Sequence, residues 1–145
     1  MPKVLVTADS TCDLSPDLIQ KYDIQLTPLW VTVGEKNYKD CVDIFPSDIF
    51  EYVAKTHKLP KTAAMSVGEY SDFFKSFKEQ GFDIVHVNIS SYFSSSYQNA
   101  ALAAEEFNGV YVVDSYNLST GSGHLVLEAA IKANEGEMTA AEIAD

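Results

Sequence analysis

Three short apolar runs in this chain stop at the same kind of residue. Residues 3–8 (KVLVTA) run into Asp9-Ser10-Thr11, residues 83–89 (DIVHVNI) into Ser90-Ser91, and residues 110–113 (VYVV) into Asp114-Ser115. Short runs rich in Val and Ile are the pattern of strands buried in a sheet. Helix patterns lie between them. Ser15-Pro16 provides an N-cap and a first-turn proline ahead of Leu18, Ile19 and Tyr22. Pro46 opens a second helix carrying Ile49, Phe50 and Val53. Ser66 and Glu69 form a capping box, and Tyr70, Phe73, Phe74 and Phe77 share one helix face. Residues 97–107 and 124–133 supply two more helices, the first rich in alanine. Strand and helix alternate, so the expected fold class is α/β: an open, mostly parallel sheet with helices on both faces.

Two stretches are less regular. Residues 24–33 (IQLTPLWVTV) read as one strand with Pro28 marking an edge or a bend. Residues 59–65 (LPKTAAM) read as a loop. At the far end, Thr139 and Glu142 form another capping box three residues before the sequence stops. A helix that short is not stable alone. The expected organisation is one α/β domain over residues 1–138, with 139–145 beginning a truncated second segment.

A parallel sheet sets all three polar strand ends along one rim, where ligands of open α/β sheets bind. The segment Ser90-Ser91-Tyr92-Phe93-Ser94-Ser95-Ser96-Tyr97-Gln98 holds five serines in nine residues. Ser, Thr and Asp at strand ends ordinarily serve as caps and turns. Capping a helix uses one hydroxyl, and this run exceeds that need. The helix that follows presents its free N–H groups to the same rim, with a partial positive charge of about half a unit. Hydroxyls beside a helix N-terminus can receive an anion without a cationic side chain. That matters here, because all ten basic residues are lysines and there is no arginine.

The formal charge is −11, with 21 acidic residues. That balance argues against nucleic acid as a partner and against anionic membrane surfaces. No apolar stretch approaches the length of a membrane span, and no signal peptide is evident. Cys12 and Cys41 have no metal-like spacing. The expected setting is cytoplasmic, with reduced thiols and no membrane anchor.

Motifs for chemistry are few. The chain lacks a Walker loop, a complete dinucleotide fingerprint and a nucleophile elbow. Gly123 reads as a close-packing position at a helix start. Cys12 reads as a small buried residue, and His86, between Val85 and Val87, as structural. No cofactor is expected. One enzymatic alternative uses Asp9 and Asp114 at the rim with a metal, as a phosphohydrolase or phosphotransferase. A third reading is an interaction domain whose rim is merely capped.

Several segments, in order, resemble the DegV family of bacterial fatty-acid-binding proteins. Asp9-Ser10-Thr11-Cys12-Asp13-Leu14 resembles its opening signature. Leu59-Pro60-Lys61-Thr62 followed by Ser66 resembles its Leu-Pro-x-Thr-Ser-x-Pro-Ser segment. The serine run resembles its Ser-Ser-x-Leu-Ser-Gly-Thr-Tyr-Gln segment, with Ser95 and Ser96 standing for Gly and Thr. Val113-Asp114-Ser115 and Gly121-Ser122-Gly123 resemble its later elements. The resemblance implies the N-terminal domain of a two-domain carrier, not an enzyme. Such a carrier holds a long-chain fatty acid by its carboxylate and presents it to a fatty acid kinase. By motif position Thr62 and Ser94 would bind the carboxylate, with the Ser95 N–H as a further donor. Ser10, Ser91 and Ser96 complete the expected ligand-binding set. Leu29, Trp30, Phe73, Phe74, Phe77 and Tyr97 are candidates to line a tunnel for the tail.

Overall fold

The computed structural model describes residues 2–145; Met1, where the expected domain begins, lies outside the described residues. Four strands form a fully parallel sheet in the order β2-β1-β6-β7: β1 (Val4–Asp9), β2 (Gln25–Thr27), β6 (Asp83–Asn88) and β7 (Val110–Asp114). Helices cover both faces, as the strand–helix alternation requires. On one face α5 (Thr120–Glu135) and α6 (Ala140–Ala144) pack with Val6, Ala8, Val85 and Val87. On the other, α3 (Val67–Lys78) and α4 (Ser96–Ala104) build a core from Tyr70, Phe74, Ile84, Ala100 and Ala103. α1 (Pro16–Lys21) starts as expected, with Ser15 accepting from the Leu18 N–H. α2 (Pro46–Thr56) starts at its proline.

The structure departs from the sequence reading where side-chain periodicity is weakest. Residues 24–33 are two strands in two sheets. Pro28, which has no N–H to give a ladder, marks the break between β2 and β3 (Trp30–Val33). β3 is the centre of a small antiparallel sheet, order β4-β3-β5, with β4 (Lys36–Lys39) and β5 (Lys61–Ala63). β5 occupies the stretch read as a loop; its residues are all exposed, so no apolar alternation announces it. Residues 139–145, read as the start of a second segment, are seated on this same domain. Ala140 is buried, and Ile143 and Ala144 pack against the core beside α5, over β6 and β7.

α5 begins four residues earlier than its apolar pattern. Thr120, Gly121 and Ser122 look like loop, but Gly123 explains why they are helix. A β-carbon at 123 would collide with the carbonyl oxygen of Cys12 in the 3₁₀ turn Ser10–Cys12, so only glycine lets the helix meet that turn. The Ser119 N–H donates to the Thr11 carbonyl at 3.0 Å and closes the contact. Gly123→Ala is therefore expected to destabilise the protein by about 1–3 kcal/mol through overpacking. Gly68→Ala, in α3 with open space around it, is expected to be neutral or stabilising by about 0.4–1 kcal/mol. Urea unfolding of the two variants against the parent separates these outcomes.

Candidate functional site

The small sheet and the parallel sheet meet at the carboxyl ends of the strands. There Leu29, Thr62, Ala63, Ala64, Ile89, Phe93, Ser94 and Ser95 line a cleft of about 440 Å³. Thr62 reaches it from β5, where it pairs with Val31 of β3. Leu29 and Ile89 are buried apolar residues, while Thr62 and Ser95 are exposed at the opening. No charged side chain is among those lining it. An acceptor-only anion placed here would meet hydroxyls and backbone donors.

The serine run wraps the start of α4. The Phe93 and Ser94 N–H groups both donate to the Ser90 carbonyl, at 2.9 and 3.3 Å, folding the run back on itself. Ser94 Oγ then accepts the Ser96 N–H at 3.1 Å. Ser95 caps α4 with φ −79°, an ordinary value, so no glycine is needed there. Its N–H has no acceptor among the described residues and is free at the helix start.

Of the six residues expected to bind ligand, three share the cleft: Thr62, Ser94 and Ser95. The other three do not line it. Ser96 is fully buried and meets Ser94 Oγ at 2.9 Å, so it stands behind the lining. The Ser10 hydroxyl donates to Asp40 at 2.6 Å and accepts the Leu29 N–H, which spends it on holding the chain near Pro28. Ser91 lies outside the cleft, its N–H directed to the Asp114 carboxylate. The expected tail tunnel is dispersed as well. Leu29 lines the hydroxyl cleft; Trp30 and Phe73 line a second cleft of about 260 Å³; Tyr97 faces a third beside β7. Phe74 is fully buried in the core, and Phe77 packs against it. Ile89, Phe93, Ala63 and Ala64 are lining residues that sequence reasoning missed. Ile89 and Phe93 flank the serines directly, and that adjacency was the available signal.

Beneath the cleft lies a buried polar network. Strand alternation turns Val6, Ala8, Val85 and Val87 to one face of the sheet and leaves Thr7, Asp9, His86 and Asn88 on the other. Asp9 is 2 % exposed. Its Oδ1 accepts from Thr27 at 2.9 Å and Tyr70 at 2.8 Å; its Oδ2 accepts from Asn88 and from the Ile89 N–H, both at 2.9 Å. His86 stands 3.6 Å from Asp9 Oδ1 and holds Thr7 Oγ1 at 2.7 Å. Burial works against the charged carboxylate, but the imidazole, Asn88 and the Ile89 N–H outweigh it and hold its pKa below the ordinary range. The same burial and the adjacent carboxylate push the Tyr70 phenol upward, so it stays a donor. Asp114 accepts the N–H groups of Ser91 and Tyr116. Both aspartates of the phosphohydrolase alternative are thus engaged as structural acceptors.

The sequence model of the DegV family matches residues 3–145. The chain belongs to the DegV family. A DegV domain-containing protein of Clostridium perfringens is 36% identical over 132 residues, which is 90% of this chain and 47% of that protein. Among solved structures, a DegV family protein from Thermus thermophilus, described as fatty-acid-binding, superposes with a TM-score of 0.87 at 30% identity. That match covers 99% of this chain and 51% of the other. A stearic-acid-binding protein from Eubacterium ventriosum gives a TM-score of 0.83 at 33% identity, covering 99% and 50%. This DegV chain therefore spans about half the length of the relatives it matches. No helix among the described residues is long and apolar enough to cross a membrane.

The Asp9 network makes a prediction about acid. The folded carboxyl titrates below its ordinary value of 3.8, so its contribution to stability is complete above that pH. It is lost as the pH falls through the lowered value. Asp9→Asn leaves donors facing an amide N–H₂ and is expected to cost about 3–5 kcal/mol near neutral pH. The variant should also lose part of the parent's destabilisation below pH ~4. Urea midpoints across an acid series test both; a variant as stable as the parent at pH 7 contradicts the assigned role.

Proposed function

We propose that this DegV chain binds a long-chain fatty acid by its carboxylate, with Thr62 Oγ1, Ser94 Oγ and the Ser95 N–H as donors. The observation that carries the reading is one cleft that brings Thr62 to the neighbouring Ser94 and Ser95, far from it in sequence, and is lined by no cation. Family relatives described as binding fatty acids support the ligand class. Leu29, Ile89 and Phe93 supply the apolar surface on which the tail leaves the head group. This proposal lets the remaining half of a DegV-length protein complete the wall around the tail.

The energetics divide the labour. Roughly 14 methylenes at about 0.8 kcal/mol each give on the order of 11 kcal/mol of gross apolar driving force. Association removes about 4–15 kcal/mol of such a sum. Each hydrogen bond to the charged head contributes about 1.5–3 kcal/mol. The tail therefore supplies affinity, and the hydroxyls supply orientation and the choice of head group.

The reading extends to a carrier that presents its acid to a fatty acid kinase. Thr62 and Ser95 are exposed at the cleft's opening, so a carboxylate held there is within reach of a second protein. The lining offers no titratable side chain, which suits binding rather than turnover. Native mass spectrometry of the intact protein is expected to find a bound fatty acid. Thr62→Ala with Ser94→Ala is expected to weaken fatty-acid binding by about tenfold or more, and to slow acyl phosphate formation by an added fatty acid kinase. Undiminished binding and delivery by the double variant would overturn the site.

A further inference from the structure

We propose that Ser96 is a positioning residue: it fixes Ser94 as a hydrogen-bond donor toward the cleft and so sets the preference for an anionic head group. The inference rests on the fatty-acid reading above and deepens it.

A serine hydroxyl has one hydrogen and two lone pairs. Left free to rotate, Ser94 could offer the cleft either its hydrogen or a lone pair, and a lone pair repels a carboxylate. The structure narrows that freedom. One lone pair of Ser94 Oγ receives the Ser96 N–H at 3.1 Å. The Ser96 hydroxyl lies 2.9 Å from the same oxygen. Ser96 is fully buried, so its hydrogen needs a protein acceptor. Its hydroxyl has Ser94 Oγ as its hydrogen-bond partner among the described residues. The other polar group close by, Tyr70 Oη, already donates to Asp9 at 2.8 Å and accepts from Asn88 at 3.3 Å. On this proposal the Ser96 hydrogen goes to Ser94 Oγ rather than to Tyr70, fills the second lone pair of Ser94, and leaves the Ser94 hydrogen for the cleft.

The arrangement gives a chain without arginine a substitute for fixed positive charge. Two donors on Ser94 Oγ also polarise its O–H bond, and hydrogen bonds in such chains strengthen one another. A carboxylate, which only accepts, gains most. A fatty alcohol of the same length carries its own hydrogen and no charge, and gains less. Ser96 thus acts on head-group choice without touching the ligand.

The test is competition of stearate and octadecanol against a fluorescent fatty-acid probe on the intact protein. Ser96→Ala is expected to lower the acid-to-alcohol affinity ratio by about fivefold. Ser96→Thr, which keeps the hydroxyl, should restore the ratio to within about twofold. In a Ser94→Ala background the Ser96 change should have no further effect on the ratio, because its action runs through Ser94. An unchanged ratio in Ser96→Ala overturns the proposal, as does an equal loss of acid and alcohol or an additive effect in the Ser94→Ala background. A parent that binds stearate while Ser96→Ala matches it removes this proposal alone. A parent that binds no stearate removes the fatty-acid reading, and this proposal with it.

Discussion

The Asp9 carboxylate is the knot of this structure. Its four donors come from β2, from α3, from β6 and from the backbone just past β6. A buried charge is tolerable only when its lone pairs are filled, so these elements have one arrangement in which the carboxylate is satisfied. That arrangement sets the height of α3 on the sheet. It also pins Ile89, whose side chain lines the hydroxyl cleft while its N–H is held below. The serine run starts at the next residue, so the register of the cleft wall is inherited from the network beneath it.

Around that anchor the rim loops are tied to one another by main-chain bonds. Ser90 donates to the Asn117 carbonyl, Ser115 to Asn88, and Ser119 to Thr11. Loops carry function when a rigid scaffold positions them, and here the loops after β1, β6 and β7 share one frame. In the proposed site the cleft then offers neutral donors to an anion. Ionic hydrogen bonds from preset hydroxyls and a helix-start N–H need no reorganisation when the ligand arrives. The acidic surface disfavours anions at long range, but screening limits that effect to about 8 Å at physiological salt. In the proposed site, local donors decide the head group.

Most of the parallel sheet was legible in the sequence because its strands are apolar runs and its helices carry caps: Ser15, Ser66 and Thr139 all cap as their neighbours imply. The antiparallel sheet was not, because β4 and β5 are short and largely exposed and take their conformation from pairing with β3. The buried network was half visible. Thr7 and Asp9 share a parity, as do His86 and Asn88, and the register sets Thr7 beside His86; a single sequence shows the parity but not the pairing. In the site, motif order brought Thr62 together with Ser94 and Ser95. It did not separate hydroxyls that face the cleft from those of Ser10, Ser91 and Ser96, which do not line it. Hydroxyl content is a property of sequence, whereas the direction of each hydroxyl depends on the fold.

A crystal structure of the intact protein with a bound C18 fatty acid tests the central claim most directly. The account predicts both carboxylate oxygens inside the cleft, within about 3 Å of Thr62 Oγ1, Ser94 Oγ or the Ser95 nitrogen, with the tail leaving past Leu29, Ile89 and Phe93. A head group seated beside Trp30 and Phe73, or left in solvent with only the tail near the serines, would contradict it.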